Sequence, residues 1–495
     1  MNIARHVERG AKSFPNHPAI LFEGTCLTYS ELNKQANRIT NALKAHGIKR
    51  GDRVALYLPN IPAFVICYLA VMKAGGIAVS INSMFKSDEV KYLVNDSESK
   101  IIFTVGDFVP NIPREECPSL SYVVVCEGDA QGNETLDHWM IQAASDAKAM
   151  NMDRNDPAVL LYTSGTTGFP KGATLSHGNI ISNIESTVHH AGYSHNDRML
   201  LFLPLFHVFG QNFIMNATFS AASTLVMHRR FVLDLILDSV QRHQVTMFFA
   251  VPTIYINLLN TDLSQSDIST IRYYFSAAAT MPEEISRRWT DRFGQLVYEG
   301  YGLTESSPFA CYNHDSHYKF GSVGTAIKDF ELKILDSTDN ELPVGEWGEI
   351  CIKGPGVMLG YWGKSDESER ALRNGWLHSG DIGVMDDEGY VYIVDRVKDM
   401  INAAGFKIWP AEIEQFLYRH AAIKEIAVYG VPDPIQGEIV QAAIVLKQGA
   451  STSSEEIIAF CRERIAAYKI PAKVEFMNEL PKSATGKILK RVLRA

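Results

Sequence analysis

Cysteines are few in this sequence and form no framework. Seven occur among 495 residues, an odd number, and no two are spaced as a close disulfide pair or as a metal-binding motif. A small scaffold stapled by disulfides is therefore excluded. We expect reduced thiols and a cytoplasmic protein.

Long hydrophobic runs are also missing. The longest strongly apolar stretch, residues 61–72, falls far short of the roughly 20 residues that cross a bilayer, so we predict a buried helix there and no membrane span. Residues 1–14 carry charges throughout and lack the apolar centre of a secretory signal. The C-terminal residues 493–495 do not match a peroxisomal address.

Positive charge is in the minority. The 47 Lys and Arg residues are outnumbered by 56 Asp and Glu residues, which gives a formal net charge of -9. Sequence-independent nucleic-acid binding needs a basic surface that displaces counterions, so we expect no nucleic-acid partner. Small anionic ligands stay open, provided that the positive charge is local.

What is present is the composition of a soluble globular enzyme, with 46% hydrophobic and 21% charged residues. The length suggests about two to four domains. Apolar strand patterns at residues 53–58, 77–81 and 101–105 alternate with helical patterns at residues 61–74 and 86–95, and the alternation returns later in the chain. This rhythm predicts an α/β fold with largely parallel sheet, in two related sheet units.

The later part of the chain changes character. Short strands with Asp, Asn, Pro and Gly turns over residues 321–356 predict a small β-rich, barrel-like module. The last hundred residues predict a small α+β domain that includes a helix over residues 454–468. A charged turn that begins at Asp395 is the best candidate for a hinge. We therefore predict an N-terminal domain at 1–394 and a mobile C-terminal domain at 395–495.

The strongest chemical signal is a glycine-rich stretch at residues 162–172, which holds three glycines, four Ser or Thr hydroxyls and Lys171. Backbone amides and hydroxyls at this density suit polyphosphate binding. A Walker loop needs glycine before its lysine and Ser or Thr after it, but Pro170 precedes Lys171 and Gly172 follows. The apolar flanks predict strand, turn, strand, so an ordinary P-loop fold is excluded.

Four further segments suggest chemistry only if they converge in space. His207 lies between aromatic residues, and a satisfied core histidine is an equally good interpretation of it alone. Residues 301–305 combine a tyrosine for purine stacking, a threonine for phosphate and a glutamate for magnesium. Asp381 follows a glycine turn and can accept both ribose hydroxyls. Lys487 lies on a loop near the C-terminus.

In this order, the segments resemble the adenylate-forming superfamily of acyl-CoA synthetases, adenylation domains and luciferases. The likeness runs from residues 27–32 and 73–75 to Lys487. It implies that a carboxylate attacks the α-phosphate of ATP, which forms an acyl-adenylate and releases pyrophosphate. It also implies that a thiol, normally that of coenzyme A, then takes the acyl group.

The resemblance implies a role for each motif residue. Lys487 would bridge the carboxylate and the α-phosphate, and Glu305 would bind Mg²⁺. His207 and Thr304 complete the catalytic set. The implied nucleotide-binding residues are Thr163, Ser164, Gly165, Thr166, Thr167, Gly168, Lys171, Ala278, Ala279, Tyr301, Gly302, Thr304, Asp381 and Arg396.

The second half-reaction needs a rearrangement, because Lys487 would obstruct the thiol. The resemblance implies that the C-terminal domain swings about Asp395 and brings Gly405 to the thiol tunnel. A side chain at Gly405 would fill the space of a pantetheine arm. Lys398 and Lys407 belong to the same hinge and tunnel set. Lys407 departs from the Asn or Gln common in relatives.

The acid is predicted to be apolar. Relatives that activate amino acids place an aspartate after the aromatic-histidine region, and residues 206–215 contain none. The candidate acyl pocket is His207, Val208, Phe209, Ile214, Met215, Ala277, Ala278 and Phe309. This set favours a medium- or long-chain fatty acid, ahead of an aryl acid such as coumarate or benzoate.

Three alternatives stay open. An enzyme that loads an acyl carrier protein instead of CoA would share every motif. A phosphotransferase would release ADP, although the missing Walker pattern argues against it. A nucleotide-binding protein without catalysis is disfavoured by Lys487 and Glu305. A homodimer is compatible with the sequence.

Overall fold

A computed structural model describes residues 1–163, 169–396, 399–434, 436–462 and 464–494. Its α-helices are α1 Arg5–Ser13, α2 Tyr29–Ala45, α3 Pro62–Ala74, α4 Ser87–Ser97, α5 Leu136–Gln142, α6 His177–His190, α7 Ala217–Ser220, α8 Leu233–His243, α9 Pro252–Leu259, α10 Glu283–Phe293, α11 Ser365–Ala371, α12 Pro410–Leu417, α13 Ser454–Arg462 and α14 Lys490–Leu493. A π-helix, Phe209–Asn216, precedes α7.

The strands of the larger part of the chain are β1 Pro18–Phe22, β2 Thr25–Thr28, β3 Arg53–Tyr57, β4 Ile77–Ser80, β5 Ile101–Thr104, β6 Tyr122–Val125, β7 Glu134–Thr135, β8 Pro157–Thr163, β9 Lys171–Ser176, β10 Arg198–Leu201, β11 Thr224–Met227, β12 Met247–Ala250, β13 Tyr273–Ser276, β14 Val297–Gly302, β15 Phe309–Tyr312, β16 Thr325–Ala326, β17 Glu331–Leu335, β18 Gly348–Lys353, β19 Gly360–Tyr361, β20 Leu377–Met385 and β21 Val391–Arg396. The remaining strands are β22 Ile401–Ala403, β23 Phe406–Ile408, β24 Ile423–Asp433, β25 Gly437–Leu446 and β26 Lys473–Phe476.

Two large mixed sheets form the N-terminal part. One has eight strands in the order β19-β9-β8-β4-β3-β5-β6-β7, and the other has nine in the order β16-β15-β14-β13-β12-β10-β11-β1-β2. The central neighbours of both sheets are parallel, while edge pairs such as β8 with β9 and β14 with β15 are antiparallel. Parallel strands joined by helices are typically covered on both faces, which accounts for their continuous apolar runs. The prediction of two α/β sheet units is confirmed.

Two smaller sheets follow along the chain. Strands β17, β18, β20 and β21 form a four-stranded antiparallel sheet, where the sequence predicted a β-rich module. A five-stranded sheet of β23, β22, β25 and β24, with β26 paired to β25, builds the C-terminal part. The boundary predicted at Asp395 falls inside β21 and stays a prediction.

Helix α3 is the predicted apolar helix of residues 61–74. Pro62 occupies its first turn, where the missing amide hydrogen costs nothing, and Gly75 ends it in a left-handed conformation with φ 77°. Its side chains from Phe64 to Ala74 are buried, so it is a core helix. Among the described residues, no helix has the length and apolarity that crossing a membrane requires.

Two local predictions were wrong. The helix predicted over residues 454–468 ends at Arg462, and residues 467–469 form a separate turn of 3₁₀-helix. Asp381 does not follow a turn, because it lies within the continuous strand β20. The glycine signal there marks a bulge: Gly380 has φ 72°, and the register between β18 and β20 shifts at this point.

Asp197 accepts hydrogen bonds from residues that lie just before three strands of the nine-stranded sheet. Its carboxylate, with a side chain 5% exposed, accepts hydrogen bonds from Arg272 Nε at 2.9 Å, Thr246 Oγ1 at 2.8 Å and the Ser194 amide at 2.8 Å. Burial alone would raise the pKa of Asp197, but these hydrogen bonds and the Arg272 charge lower it below the ordinary value of 3.8. The folded protein therefore stabilises the charged form of Asp197.

We expect Asp197→Asn to lower the free energy of unfolding by about 2 kcal/mol at neutral pH, because the buried carboxylate loses the charge that strengthens its hydrogen bonds with Thr246, Ser194 and the half-exposed Arg272. A depressed carboxyl pKa stabilises the fold above the unfolded pKa, and that contribution disappears as the pH falls through the folded value. Urea unfolding at pH 7 and near pH 3 measures both effects, with the exposed Asp291→Asn as control. An equal loss at both pH values would contradict the charge argument.

Candidate functional site

The flanks of the glycine-rich stretch form the paired antiparallel strands β8 and β9, as predicted. Thr163 and Lys171 are paired across the two strands at its base. Ser164, Gly165, Thr166, Thr167 and Gly168, which the sequence assigns to phosphate binding, lie outside the described residues. On the exit side, the Phe169 ring stacks on Tyr92 of α4 at 5.1 Å, and the Tyr92 hydroxyl donates to the Pro170 carbonyl at 3.1 Å.

Glu305 lies where the two large sheets meet. It belongs to a 3₁₀ turn, Thr304–Ser306, directly after β14, and it is 8% exposed. Its Oε1 accepts the Tyr361 hydroxyl at 2.8 Å and the Thr163 hydroxyl at 3.4 Å. Lys171 Nζ lies 4.6 Å from the centre of the Tyr361 ring. Thr163, Lys171 and Glu305, all predicted site residues, therefore form one cluster with Tyr361, a residue that the sequence analysis missed.

Asp381 links the nine-stranded sheet to the four-stranded sheet. It is 6% exposed, and its Oδ2 accepts the Tyr301 hydroxyl at 2.8 Å, while Arg396 Nε donates to Oδ1 at 3.0 Å. Burial and the Asp381 charge raise the pKa of Tyr301, so this hydroxyl keeps its proton. The structure thus brings Tyr301, Asp381 and Arg396 together.

A second residue missed from the sequence, Glu349 of β18, supports the bulge beside Asp381. Its Oε1 accepts the Gly380 amide at 2.8 Å, and its Oε2 lies 2.9 Å from Nδ1 of His378. Cys351 Sγ lies 3.3 Å from the same nitrogen. The ligand atoms of these three residues lie within 4.8 Å of one another, but Arg373 Nη2 is 3.4 Å from Glu349 and already supplies positive charge there.

His207 lies in the turn between β10 and the π-helix, six residues past the strand end. The segment before it is fixed by Asn60, which donates to the Leu203 carbonyl at 2.9 Å and accepts the Leu205 amide at 2.9 Å. Gln211 donates to the Leu205 carbonyl at 3.0 Å. These buried amide side chains hold the half-buried His207 at the start of the π-helix.

The C-terminal loop that carries Lys487 docks beside His207. Thr253 of α9 donates its hydroxyl to the Gly486 carbonyl at 3.2 Å, and a Cβ at Gly486 would come within 3.0 Å of Val251. Desolvation, followed by the positive charge of Lys487, lowers the pKa of His207 to about 4. His207 and Lys487, far apart in sequence, therefore share one site, with His207 neutral at pH 7.

The remaining residues predicted to bind nucleotide lie at or just after the ends of β13 and β14. Ala277, Ala278 and Ala279 directly follow β13, and Ala278 adopts a left-handed conformation with φ 69°. Gly302 ends β14, where a Cβ would overlap the carbonyl oxygen of Pro308. Ligands of α/β sheets commonly bind at the carboxyl ends of strands, which is where these residues lie.

The predicted acyl residues are buried apolar side chains. Val208, Phe209, Ile214, Met215, Ala277 and Phe309 are at most 3% exposed and belong to the main core, and Ala278 packs against it. Phe209 contacts Phe309 with ring centres 5.7 Å apart. Phe213 and Phe275, which the sequence analysis missed, join the same ring cluster. The role of this set as a pocket stays a prediction.

The predicted hinge and tunnel residues lie at the border of the C-terminal sheet. Asp395 of β21 accepts the amide of Ala411, the second residue of α12, at 2.8 Å. Gly405 lies in the turn between β22 and β23 with φ 87°, and a Cβ there would meet no atom within 4 Å. The turn therefore explains this glycine without a tunnel. Lys407 is exposed on β23, and Lys398 lies outside the described residues.

Comparison with known families places the chain. The profile of the AMP-binding enzyme family matches residues 7–362, and that of the AMP-binding enzyme C-terminal domain matches residues 412–487. The chain belongs to the AMP-binding enzyme family, the adenylate-forming superfamily that the sequence resembles.

Curated relatives and solved structures agree over the whole chain. A long-chain-fatty-acid–CoA ligase of Bacillus subtilis (strain 168) is 38% identical over 98% of this chain and 92% of its own length. A feruloyl-CoA synthase of an Amycolatopsis species is 34% identical over 98% of this chain and 97% of its own. The crystal structure of an anthranilate CoA ligase in complex with anthranoyl-AMP superposes with a TM-score of 0.94, at 29% identity, and covers 100% and 96% of the two chains.

These findings define the activity. The protein is an acyl-CoA ligase that uses ATP, CoA and a small carboxylic acid. The relatives act on different classes of acid, so the family leaves the acid open.

We expect His207 to stay neutral down to about pH 4, because its surroundings disfavour the imidazolium. NMR titration of histidine-labelled protein, assigned with His207→Gln, measures this directly. A midpoint near 6.5 would contradict the desolvation argument. Since the folded pKa lies below the unfolded value, the fold loses this contribution as the pH falls from about 6.5 to about 4, and His207→Gln should be less acid-sensitive in that window.

Proposed function

We propose that this acyl-CoA ligase activates an unfunctionalised fatty acid as its adenylate and then transfers the acyl group to CoA. The observation that carries the proposal is the convergence of Lys487, His207 and the apolar residues from Val208 onward at one place beside the nucleotide-binding residues. A cation, a neutral imidazole and an apolar wall together suit a carboxylate with a hydrocarbon tail.

The first step joins two anions. A carboxylate oxygen of the acid attacks the α-phosphorus of ATP, the bond to the bridging oxygen breaks, and pyrophosphate leaves with that electron pair. Lys487 would hold the carboxylate against the α-phosphate, and Lys171 would contact the departing phosphates. Neutral His207 adds no repulsion to Lys487 and can donate or accept a hydrogen bond at the carboxylate.

The nucleoside would be held by the residues that link the four-stranded sheet to the nine-stranded sheet. Asp381 would accept the ribose hydroxyls, and Arg396, already paired with it, keeps the carboxylate ionised and oriented. Tyr301 and the backbone of Ala278 and Ala279 would line the adenine site. In this arrangement the reacting phosphate would lie between Asp381 and Glu305, because Tyr301, which donates to Asp381, is only four residues before Glu305 at the end of β14.

Magnesium fits the residues around Glu305. Carboxylate and hydroxyl oxygens are the ligands that Mg²⁺ prefers, and Glu305 and Thr163 offer both within 3.4 Å of each other. These residues would hold the ion, which would offset the charge of the triphosphate. Thr304 begins the same turn and would bind phosphate.

In the second step the thiol sulfur attacks the acyl carbon, AMP leaves with the bonding electrons, and the thiol proton is lost. Lys487 would obstruct the thiol, so the C-terminal sheet would rotate about Asp395. The turn at Gly405 would then face the site, with Lys407 beside it, while Lys398 of the same predicted set lies outside the described residues. A carrier-protein thiol would fit the same chemistry, and a homodimer and a cytoplasmic location stay predictions.

We expect Lys487→Ala to slow adenylate formation by about 100- to 1,000-fold, because one preorganised cation at the reacting oxygens is lost. Nucleotide affinity should stay close to normal, since Asp381, Arg396 and Glu305 are untouched. Pyrophosphate release and ATP binding by calorimetry are the two measurements. Lys473→Ala, which removes an exposed lysine of the same sheet, is the control, and unchanged adenylation in Lys487→Ala would refute the assigned role.

We expect fatty acids to drive pyrophosphate release and CoA to increase turnover, because the pocket residues are apolar apart from His207. The panel is butyrate, octanoate, palmitate, benzoate, coumarate, malonate and several amino acids, each with ATP and magnesium, with and without CoA. Preference for benzoate or coumarate would favour an aryl acid. Adenylation without a CoA thioester would favour a carrier protein, and ADP as product would favour a phosphotransferase.

A further inference from the structure

We propose that Phe213, a residue outside the predicted acyl set, is the floor of the acyl pocket and limits the substrate to medium-length chains such as hexanoate or octanoate. The inference rests on the proposed fatty-acid substrate and narrows it. Its evidence is the packing of four phenylalanines from the π-helix and two strands.

The four rings interlock. Phe213 lies 4.5 Å from Phe309, 4.7 Å from Phe275 and 5.5 Å from Phe209, measured between ring centres. Phe275 and Phe309 are 5.2 Å apart in an edge-to-face arrangement. All four side chains are at most 3% exposed. Aromatic pairs at these distances stabilise each other by more than the burial of their surface alone. The four rings therefore form a tightly packed cluster.

A glycine allows two of the rings to meet. Phe275 belongs to β13 and Phe309 to β15, the two neighbours of β14. Between them lies Gly300 of β14, where a Cβ would be 2.5 Å from Phe275 Cζ and 3.1 Å from Phe309 Cδ1. The rings therefore cover the backbone of β14 and fill the space that a larger channel would need.

The cluster adjoins the reacting groups. Gly300 directly precedes Tyr301, Phe275 lies two residues before Ala277, and the Phe209 amide donates to Nδ1 of His207 at 3.3 Å. An acyl chain whose carboxylate meets His207 and Lys487 would run along Phe209 toward Phe213.

The length of this path can be bounded. The Gln211 amide donates to the His207 carbonyl at 3.0 Å, so the chain turns helically from His207 onward. Phe213 is six residues beyond His207, and a π-helix rises less per residue than the about 1.5 Å of an α-helix, so the two are at most about 9 Å apart along the helix. A C–C bond of about 1.5 Å advances an extended chain by about 1.3 Å per carbon. The path therefore holds at most about seven carbons beyond the carboxylate, and palmitate would have to displace Phe213.

A fifth aromatic ring packs against Phe213 and hinders its displacement. Phe249 of β12 packs edge-on against Phe213 with ring centres 5.5 Å apart, and Phe249 is fully buried. Interiors are packed as densely as organic crystals, so a ring enclosed on several sides has no vacant position into which it can turn. The limit should act on chain length and leave the nucleotide site unchanged.

The test compares kcat/KM for octanoate and palmitate, below their micelle concentrations, in the native enzyme and in Phe213→Leu. We expect the native enzyme to favour octanoate by about 100-fold, since a few kcal/mol separate chains that fit from chains that do not. Phe213→Leu should reduce this ratio by about tenfold or more. Phe219→Leu, which trims a buried phenylalanine of the adjacent α7, should leave the ratio unchanged. Phe309→Leu serves as a second variant if Phe213→Leu does not fold.

The outcomes separate the two proposals. Palmitate used as well as octanoate by the native enzyme, or a ratio unchanged in folded Phe213→Leu and Phe309→Leu, would overturn the chain-length limit but leave the fatty-acid function standing. Turnover of benzoate or coumarate with no fatty acid used would overturn the fatty-acid function, and this inference with it. A shifted ratio with an unchanged KM for ATP supports Phe213 as the floor.

Discussion

The position of Glu305 is the constraint on which the site depends. Its own strand, β14, belongs to the nine-stranded sheet, while its two hydroxyl partners, Thr163 and Tyr361, belong to the eight-stranded sheet. A buried carboxylate needs hydrogen-bond donors, so the two sheets must meet where these groups converge. The hairpin base with Lys171 is held at the same point. The residues predicted to bind phosphate on the eight-stranded sheet are thereby held beside Glu305 at the edge of the nine-stranded sheet.

Charge is distributed so that an acidic chain can bind an anionic nucleotide. The net charge of -9 would repel a triphosphate at long range, so local cations must offset it: Lys171 lies over the Tyr361 ring, Arg396 pairs with Asp381, and Lys487 lies near His207. Lys171 and Arg396 belong to strands β9 and β21, whereas Lys487 lies on a loop of the C-terminal part. Under the proposed mechanism, rotation of the C-terminal sheet would move Lys487 away from the acid and leave the proposed nucleoside contacts of Asp381 in place.

The sequence predicted the glycine-rich stretch from its composition alone, whereas His207, Glu305, Asp381 and Lys487 are weak signals one by one and were identified through the resemblance that the ordered motifs carry. The structure places Glu305 with Thr163 and Tyr361, Asp381 with Tyr301 and Arg396, and Lys487 near His207. The sequence analysis missed Tyr361 and Glu349 because their contacts join segments that are distant in sequence. Periodicity within one segment does not reveal such contacts. The sequence analysis predicted a turn at Gly380 instead of the bulge in β20, because a glycine in the left-handed conformation occurs in both structures.

The sequence analysis missed Phe213 for a different reason, which concerns the π-helix that carries it. Residues four apart lie on one face of a helix, and the rings of Phe209 and Phe213 are 5.5 Å apart, but the many apolar residues of this π-helical segment give periodicity no means of choosing Phe213. Such segments often occur at functional sites. The rings of this face pack against strands of the nine-stranded sheet, whereas Tyr301 and Glu305 lie at the end of β14. If the rings line the acyl pocket, as proposed, a change of ring size would alter the space for the acid but move neither Glu305 nor Asp381, so the acid could change while the reaction stayed the same.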